Sequence, residues 1–426
     1  MHTSTFDILR CPYCGGRLDL VTSSFNEVAA DEIQTGILGC QCCVFPVIDG
    51  IPVMHLQPNA NAARELVEQR KPVDARRAMF GLEDAPAIAE RVDALIAAED
   101  ATYRNIVDAF GEHLEGGYFL YRFGDPTFIV GDALVRAVGG VVLAEGGRAV
   151  DICGGSGHLT RSLMDPASFA GPPPVLADLY FAKVWLARRF TSPGCEQVCC
   201  DGNSPMPFAR GAFRFAMCSD AFMYIWTKRQ FVLDMLRLID DRSSGARPGA
   251  AMISHTHNQC TWTPSHGQPL TPDGYRNLFE NEQPRVFGES GLFADVVRGG
   301  PLDLSRVDSE KTLQAEQALA IIASRHPEVF TPHALDPPPS RPMGEFVVNP
   351  LYAAVASDSP DVARYRLRFP SDDYEQEYGA CREYLPADVS IARSDLQALA
   401  SGRVPAGAAD LLRRRVVVDI PLRYGV

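Results

Sequence analysis

Four cysteines near the start of the chain have the type and spacing of a metal site. Cys11 and Cys14 form one CxxC and Cys40 and Cys43 a second, with 25 residues between them. Two such knuckles present four thiolates tetrahedrally to zinc. Four thiolates leave no open position for water or substrate, so the expected metal is one structural zinc. Cys42 is left over as a bystander thiol. The ion has a clear physical role, because a segment of under 60 residues cannot build a sufficient core, and apparent zinc-binding free energies of about 10–16 kcal/mol can supply its folding energy.

A second constellation lies mid-chain. In AVDICGGSGHLTRSL, residues 149–163, Asp151 closes an apolar run and a glycine-rich turn follows through Cys153, Gly154, Gly155 and Gly157. Such a turn lets a ligand lie against bare backbone where a side chain would block it. Asp178 comes 21 residues after Gly157, where an acid can accept hydrogen bonds from ribose hydroxyls. Asp201 with Gly202, and Ser219 with Asp220, close the next two apolar runs. ISHTHNQC closes a fifth, and its His255 and His257 share one face of a strand. A neutral imidazole there is a suitable proton acceptor, with hydrogen-bonded framework histidines as the equal alternative. The HxH pair also offers two metal ligands, but no third is evident nearby in the sequence. Tyr224 follows the fourth run. Upstream, YFLYRFGDPTF supplies Tyr118, Tyr121 and Arg122, whose guanidinium suits a carboxylate; ordinary packing is the alternative for the tyrosines.

These residues need elements to hold them. RAVDICGG, PPVLADLY, EQVCCDG, FRFAMCSD and GAAMISHTH read as strands, and GHLTRSLM, AKVWLARRF and KRQFVLDMLRLID as helices between them. Such alternation predicts an α/β protein with a Rossmann-like, doubly wound parallel sheet. Before it, PAIAERVDALIAAED predicts a helix with Ile88, Val92, Leu95 and Ile96 on one face behind Pro86. After it the chain is proline-rich, with a helix expected near 308–325, where Ala315, Leu319 and Ile322 share a face, and a last strand in RRRVVVDIPL. The expected organisation is a four-cysteine zinc ribbon (1–58), a helical linker and lid (59–145), the cofactor-binding core (146–258), and a long C-terminal elaboration (259–426) that completes the sheet and encloses the acceptor.

Two resemblances give these motifs a chemistry. ILRCPYCGGRL with GCQCCVFPVIDGIPVM resembles the small zinc-ribbon proteins that partner and activate methyltransferases, which typically end in a Tyr/Phe-Pro-Ile-x-Asp-Gly-Ile-Pro run; here it reads Phe45-Pro46-Val47-Ile48-Asp49-Gly50-Ile51-Pro52. The segment 147–258 resembles class I S-adenosylmethionine-dependent methyltransferases, with Cys153 standing where that family has its first glycine and Arg214 where an Asp is common. The resemblance implies S-adenosylmethionine as cofactor, held by Asp151, Cys153, Gly154, Gly155, Gly157 and Gly202, with Asp178 on the ribose and Asp201 on the adenine. It places Ser219 at the cofactor too, Tyr118 and Arg122 over it, and Tyr224 toward the acceptor. A nicotinamide-binding Rossmann domain is the structural rival; its turn should read GxGxxG, and this one does not.

Charge narrows the partners. The net charge is -13, and residues 1–58 hold Arg10 and Arg17 against Asp7, Asp19, Glu27, Asp31, Glu32 and Asp49. Nucleic-acid affinity comes largely from Lys and Arg on phosphates, so a small-molecule acceptor, sugar-linked or another specialised metabolite, is expected over RNA. An RNA or protein methyltransferase and an inactive zinc-stabilised scaffold remain the alternatives. No apolar run reaches the length of a membrane span and the first residues lack a signal-peptide pattern, so a cytoplasmic protein without membrane partners is expected. The oligomeric state stays open, a homodimer included.

Overall fold

The computed structural model describes every residue except 115, 116, 167, 170, 241–247, 264–266, 281 and 426. Within the first 56 residues, five short strands form an antiparallel ribbon: β1 (Asp19–Leu20), β2 (Glu27–Ala29), β3 (Glu32–Gly39), β4 (Val44–Ile48) and β5 (Ile51–Pro52), with β3 at its centre. Four helices follow: α1 (Pro58–Glu68), α2 (Pro72–Phe80), α3 (Pro86–Ala97) and α4 (Tyr103–Phe110). Proline opens the first three, where its missing N–H is unpaired in any helix. The face expected on α3 is the one that packs: Val92 is buried and Ile88, Leu95 and Ile96 lie against the core.

The central sheet has seven strands: β6 (Ala149–Ile152), β7 (Val175–Asp178), β8 (Glu196–Cys199), β9 (Phe215–Ser219), β10 (Ala250–His257), β11 (Arg285–Gly288) and, after β12 (Leu302–Asp303), β13 (Ala318–Ser324). Their order is β11-β13-β10-β9-β6-β7-β8. The five strands from β6 to β10 run parallel, and β13 lies antiparallel between β10 and β11. The expected α/β doubly wound architecture is therefore present.

Alternation puts two cores on its two faces. Phe215, Met217, Ala250, Met252 and Ile322 pack under α5 (Pro126–Val142). Ala216, Cys218, Ala251, Ile253 and Ile321 pack under α7 (Lys228–Leu238) and against ribbon residues Leu9, Phe45 and Val47. Each fully buried large apolar side chain contributes about 1.5–3 kcal/mol, so ribbon and sheet share a substantial interface. Backbone joins them too: Met54 N–H donates to the Cys199 carbonyl at 2.7 Å, Arg10 N–H to that of Pro207 at 2.8 Å and Ala209 N–H to that of Ile8 at 2.8 Å.

Three expected elements differ. GHLTRSLM forms a 3₁₀ segment, Thr160–Met164, in place of an α-helix. The helix of AKVWLARRF is α6 (Phe181–Leu186), and its last turn, Ala187–Thr191, widens to π geometry. The helix expected over 308–325 breaks in two: after α8 (Pro272–Arg276) and α9 (Glu289–Arg298), only α10 (Glu310–Ala315) is helical, and Leu319 and Ile322 belong to β13. Residues 318–323 are all buried, so this strand shows no alternation that could distinguish it from a buried helix. The rest of the C-terminal region forms small sheets: β12 with β14 (Pro332–His333), β16 (Tyr352–Val355) with β17 (Val362–Leu367) and β18 (Asp388–Ala392), and β15 (Glu345–Val348) with β19 (Val417–Ile420). RRRVVVDIPL thus supplies a strand outside the main sheet.

Candidate functional site

The cysteine corner gathers Cys11, Cys14, Cys40 and Cys42, whose sulfurs all lie within 4.8 Å of one another. The Cys11–Cys42, Cys14–Cys40 and Cys40–Cys42 separations are 3.7, 3.7 and 3.5 Å. Four sulfurs at about 2.3 Å from one zinc stand roughly 3.8 Å apart, so the group fits a tetrahedral ion. Cys42 takes the place that the CxxC spacing gives to Cys43. Cys43, although its sulfur is 3.3 Å from that of Cys42, leans on the apolar cluster around Leu9 and Phe45. The CQCC knuckle bends at Gln41 and Cys42, which carries Cys42 to the other knuckle and leaves Cys43 beside the start of β4. N–H groups prepare the thiolates: Gly16 donates to Cys14 Sγ, and Cys42 and Cys43 donate to Cys40 Sγ, each at 3.4 Å. Burial pushes the Cys40 thiol up, but these donors outweigh it and bring it down to about 7.

At the end of β6 the backbone departs from ordinary geometry. Cys153 adopts φ +61°, a left-handed conformation usually left to glycine, and Gly155 and Gly157 adopt φ +56° and +78°. A Cβ on Gly157 would come within 2.4 Å of Ser192 Oγ, so that glycine is needed for close packing of turn on helix. At Gly155 a Cβ would meet only Phe119, 3.7 Å away, so this glycine forms the open lip of the turn. Asp178 faces it, accepting from Gly155 N–H at 2.9 Å and Tyr180 N–H at 2.8 Å. Burial pushes its carboxyl up and these donors pull it back. Two oxygens with one N–H each retain lone pairs for further donors. Asp151 is fully enclosed; burial pushes it up to about 7 although Thr160 Oγ1 donates to it at 2.6 Å. It supports the turn from beneath, since a Cβ on Gly154 would meet Asp151 Oδ2 at 2.7 Å. The Cys153 thiol points into the core beside Gly202, whose Cβ would lie 3.1 Å from its sulfur. Asp201 accepts from Asn203 N–H at 2.8 Å, closing the turn after β8.

On the neighbouring strands, Asp220 (φ +55°) directly after β9 and His255 (φ +48°) two residues before the end of β10 are two more left-handed residues. A register shift in β10 between Ile253 and Thr256 brings His255 and His257 together, ring centres 5.8 Å apart. His255 is clamped by Glu289, whose carboxylate accepts from His255 N–H and pairs with Nδ1, both at 2.6 Å. Burial lowers this imidazole's affinity for a proton, but Glu289 and Asp220 reverse that and hold it at about 9, so it is charged at neutral pH. Burial and the neighbouring His255 push His257 down, leaving it neutral. Arg122, expected over the cofactor, bridges Asp125 at 3.3 Å and Asp220 at 3.1 Å, and its charge also reaches His158 beside the glycine turn. Tyr118 feels the charges of Asp220 and Arg122 and the hydroxyl of Tyr224, which is half exposed on the turn after β9; burial is the main cause that raises Tyr118. Ser219 precedes Asp220 at the same strand end. Tyr121 packs away from the cleft on Tyr374.

Several side chains that shape the cleft carry no motif. Glu289 and Phe119 are two. Tyr424, near the end of the chain, receives His158 Nε2 at 2.6 Å and donates to the Phe119 carbonyl at 2.6 Å. His158 is neutral there, pushed down to about 3 by burial and by Arg122. Only folding brings residue 424 to the glycine turn.

No family model and no curated protein matches the chain. Among solved structures, geranyl diphosphate C-methyltransferase from Streptomyces coelicolor A3(2), bound to Mg2+, a substrate analogue and S-adenosyl-L-homocysteine, aligns over 42% of this chain and 69% of its own at 14% identity and TM-score 0.30. The complex of the Haloferax volcanii Trm112 methyltransferase activator with a proposed methyltransferase aligns over 47% and 90% at 13% identity and TM-score 0.31. The [4+2]-cyclase SpnF aligns over 46% and 80% at 13% identity and TM-score 0.29. At such scores the fold assignment rests on the strand order, not on these likenesses. Among the described residues, no helix is long and apolar enough to cross a membrane.

Proposed function

We propose that the chain is an S-adenosylmethionine-dependent methyltransferase acting on a small-molecule acceptor, with a structural zinc in its ribbon. The observation that carries this reading is the set of left-handed, non-glycine residues Cys153, Asp220 and His255 at the carboxyl ends of the adjacent strands β6, β9 and β10. Such backbone costs of order 1–3 kcal/mol per residue and persists where a site needs it. The crevice lies at the switch point of the sheet, where β6 turns one way to β7 and the chain later returns on its other side as β9. A dinucleotide-binding sheet runs 3-2-1-4-5-6; here antiparallel β13 is wedged before the sixth strand, which speaks against a nicotinamide cofactor.

The bound sulfonium supplies an already activated methyl group. The protein then aligns donor and acceptor and manages one proton. Gly155 leaves room against the backbone, Asp178 accepts from ribose hydroxyls, and Asp201 stands toward the adenine. Asp220, His257 and Tyr224 border the acceptor, and the cytoplasmic location expected from the sequence fits such a metabolite. The net charge of -13 disfavours RNA as acceptor. Calorimetry with S-adenosylmethionine tests the reading: micromolar binding, competed by S-adenosylhomocysteine, is expected, and no heat from the unaltered protein overturns it.

A further inference from the structure

We infer that Asp220, His255 and His257 form a second metal site, for one divalent first-row transition ion, at the acceptor end of the sheet. The sequence shows two histidines at HxH spacing and no third ligand; the fold supplies one from β9. One Asp220 oxygen and one nitrogen from each ring lie within 4.8 Å of one another, and His255 Nε2 is 4.0 Å from Asp220 Oδ1. Ligands bound at about 2.1 Å to a common ion stand roughly 3–3.5 Å apart, so side-chain shifts of order 1 Å close the triad.

The outer nitrogens are engaged in the way a metal site requires. His255 Nδ1 is held by Glu289 at 2.6 Å and His257 Nδ1 lies 3.4 Å from Thr263 Oγ1, which leaves each Nε2 for the ion, whose binding releases the Nε2 proton of His255 to solvent. A carboxylate behind a ligating imidazole fixes its tautomer and orientation and raises its basicity. The surrounding charge has the right sign: among the described residues, Asp125, Asp220, Glu289 and Glu377 outnumber the cations Arg122 and His255. Two imidazoles and one carboxylate leave coordination positions open, the arrangement of a working rather than a structural site. His255 and Asp220 are each about one-fifth exposed, so those positions face the cleft. On the methyl-transfer reading, on which this part rests, they suit an acceptor with two adjacent oxygens, chelated in front of the donor. His257 is then a ligand and not the proton acceptor.

The test uses the full chain with zinc in its ribbon, titrated with Co2+ without S-adenosylmethionine, so that it stands apart from donor binding. One Co2+ per chain is expected, with weak visible absorption and no intense thiolate charge-transfer band. His257→Ala and Asp220→Asn should weaken it more than Glu289→Gln, whose loss of a supporting carboxylate is worth about 10–100-fold. Zinc content should be unchanged in each. If variants fail to fold, pulsed electron paramagnetic resonance of Cu2+ in the unaltered protein decides instead, with coupling to two imidazole nitrogens expected. No Co2+ binding up to about 1 mM, a limit of roughly 4 kcal/mol in affinity, overturns the site. So does Co2+ binding indifferent to His257→Ala, or Cu2+ without imidazole coupling.

Discussion

The cysteine corner and the acceptor end of the sheet both bring metal-binding side chains together, by opposite means. In the ribbon, ligands come from two knuckles on short turns, and the segment shares its core with the sheet it covers. At the acceptor end, Asp220 and His255 stand on the ends of buried strands, held in left-handed backbone by the sheet around them. On the proposed reading the ribbon draws folding energy from its ion, whereas the strand ends are built by packing and then offer their residues to a ligand.

The sharpest break between the two regions is loss of zinc. Replacing Cys11 and Cys14 by Ser should remove about one zinc per chain and cost several kcal/mol, since such ions carry much of a ribbon's folding energy. Metal analysis with denaturant titration checks both; equal zinc contents sink the assignment. A Cys42→Ser variant that loses zinc while Cys43→Ser keeps it would identify the fourth ligand. Beside the acceptor end, Arg122→Met leaves the buried carboxylate of Asp125 without its cation, and a loss of about 3–5 kcal/mol is expected. A change under about 1 kcal/mol in urea unfolding would mean that the pair is solvated. Asp178→Ala should weaken S-adenosylmethionine about 10- to 100-fold by calorimetry, the worth of one or two charge-assisted hydrogen bonds.

The smallest effect is one of pH. Asp151 is pushed by burial to about 7, above the unfolded value of about 3.9. Between those values the folded state binds more protons, so stability falls as pH rises from about 4 to 7 and then levels. Asp151→Asn removes that slope, and the variant should gain on the parent by about 2 kcal/mol between about pH 5.5 and 7.5. A shift of the opposite sign would reassign the group.

What was legible in the sequence follows range along the chain. The knuckles and the glycine turn are local, and their spacing alone identified them; so was the alternation that built β6 to β10. Cys42 against Cys43 was not legible, because choosing between neighbours requires knowing which side faces the core. Strand β13 was misread because burial on both faces erases periodicity. The meeting of Asp220, His255 and Glu289 joins three elements that only the sheet order makes adjacent. Arg122 is near the glycine turn in sequence, but its pairing with Asp125 and Asp220 follows only from the fold.

The contact of Met54 with Cys199 has a further consequence. Strand β8 ends the sheet, and an end strand presents unpaired N–H and C=O groups to any extended chain that passes. The ribbon covers part of that margin. A molecule stripped of its zinc therefore does more than lose a small folded segment: it bares a strand edge beside apolar residues that the ribbon had shielded. Its fate in solution should be self-association through that margin, growing with concentration, so that metal supply governs how long the protein stays dispersed.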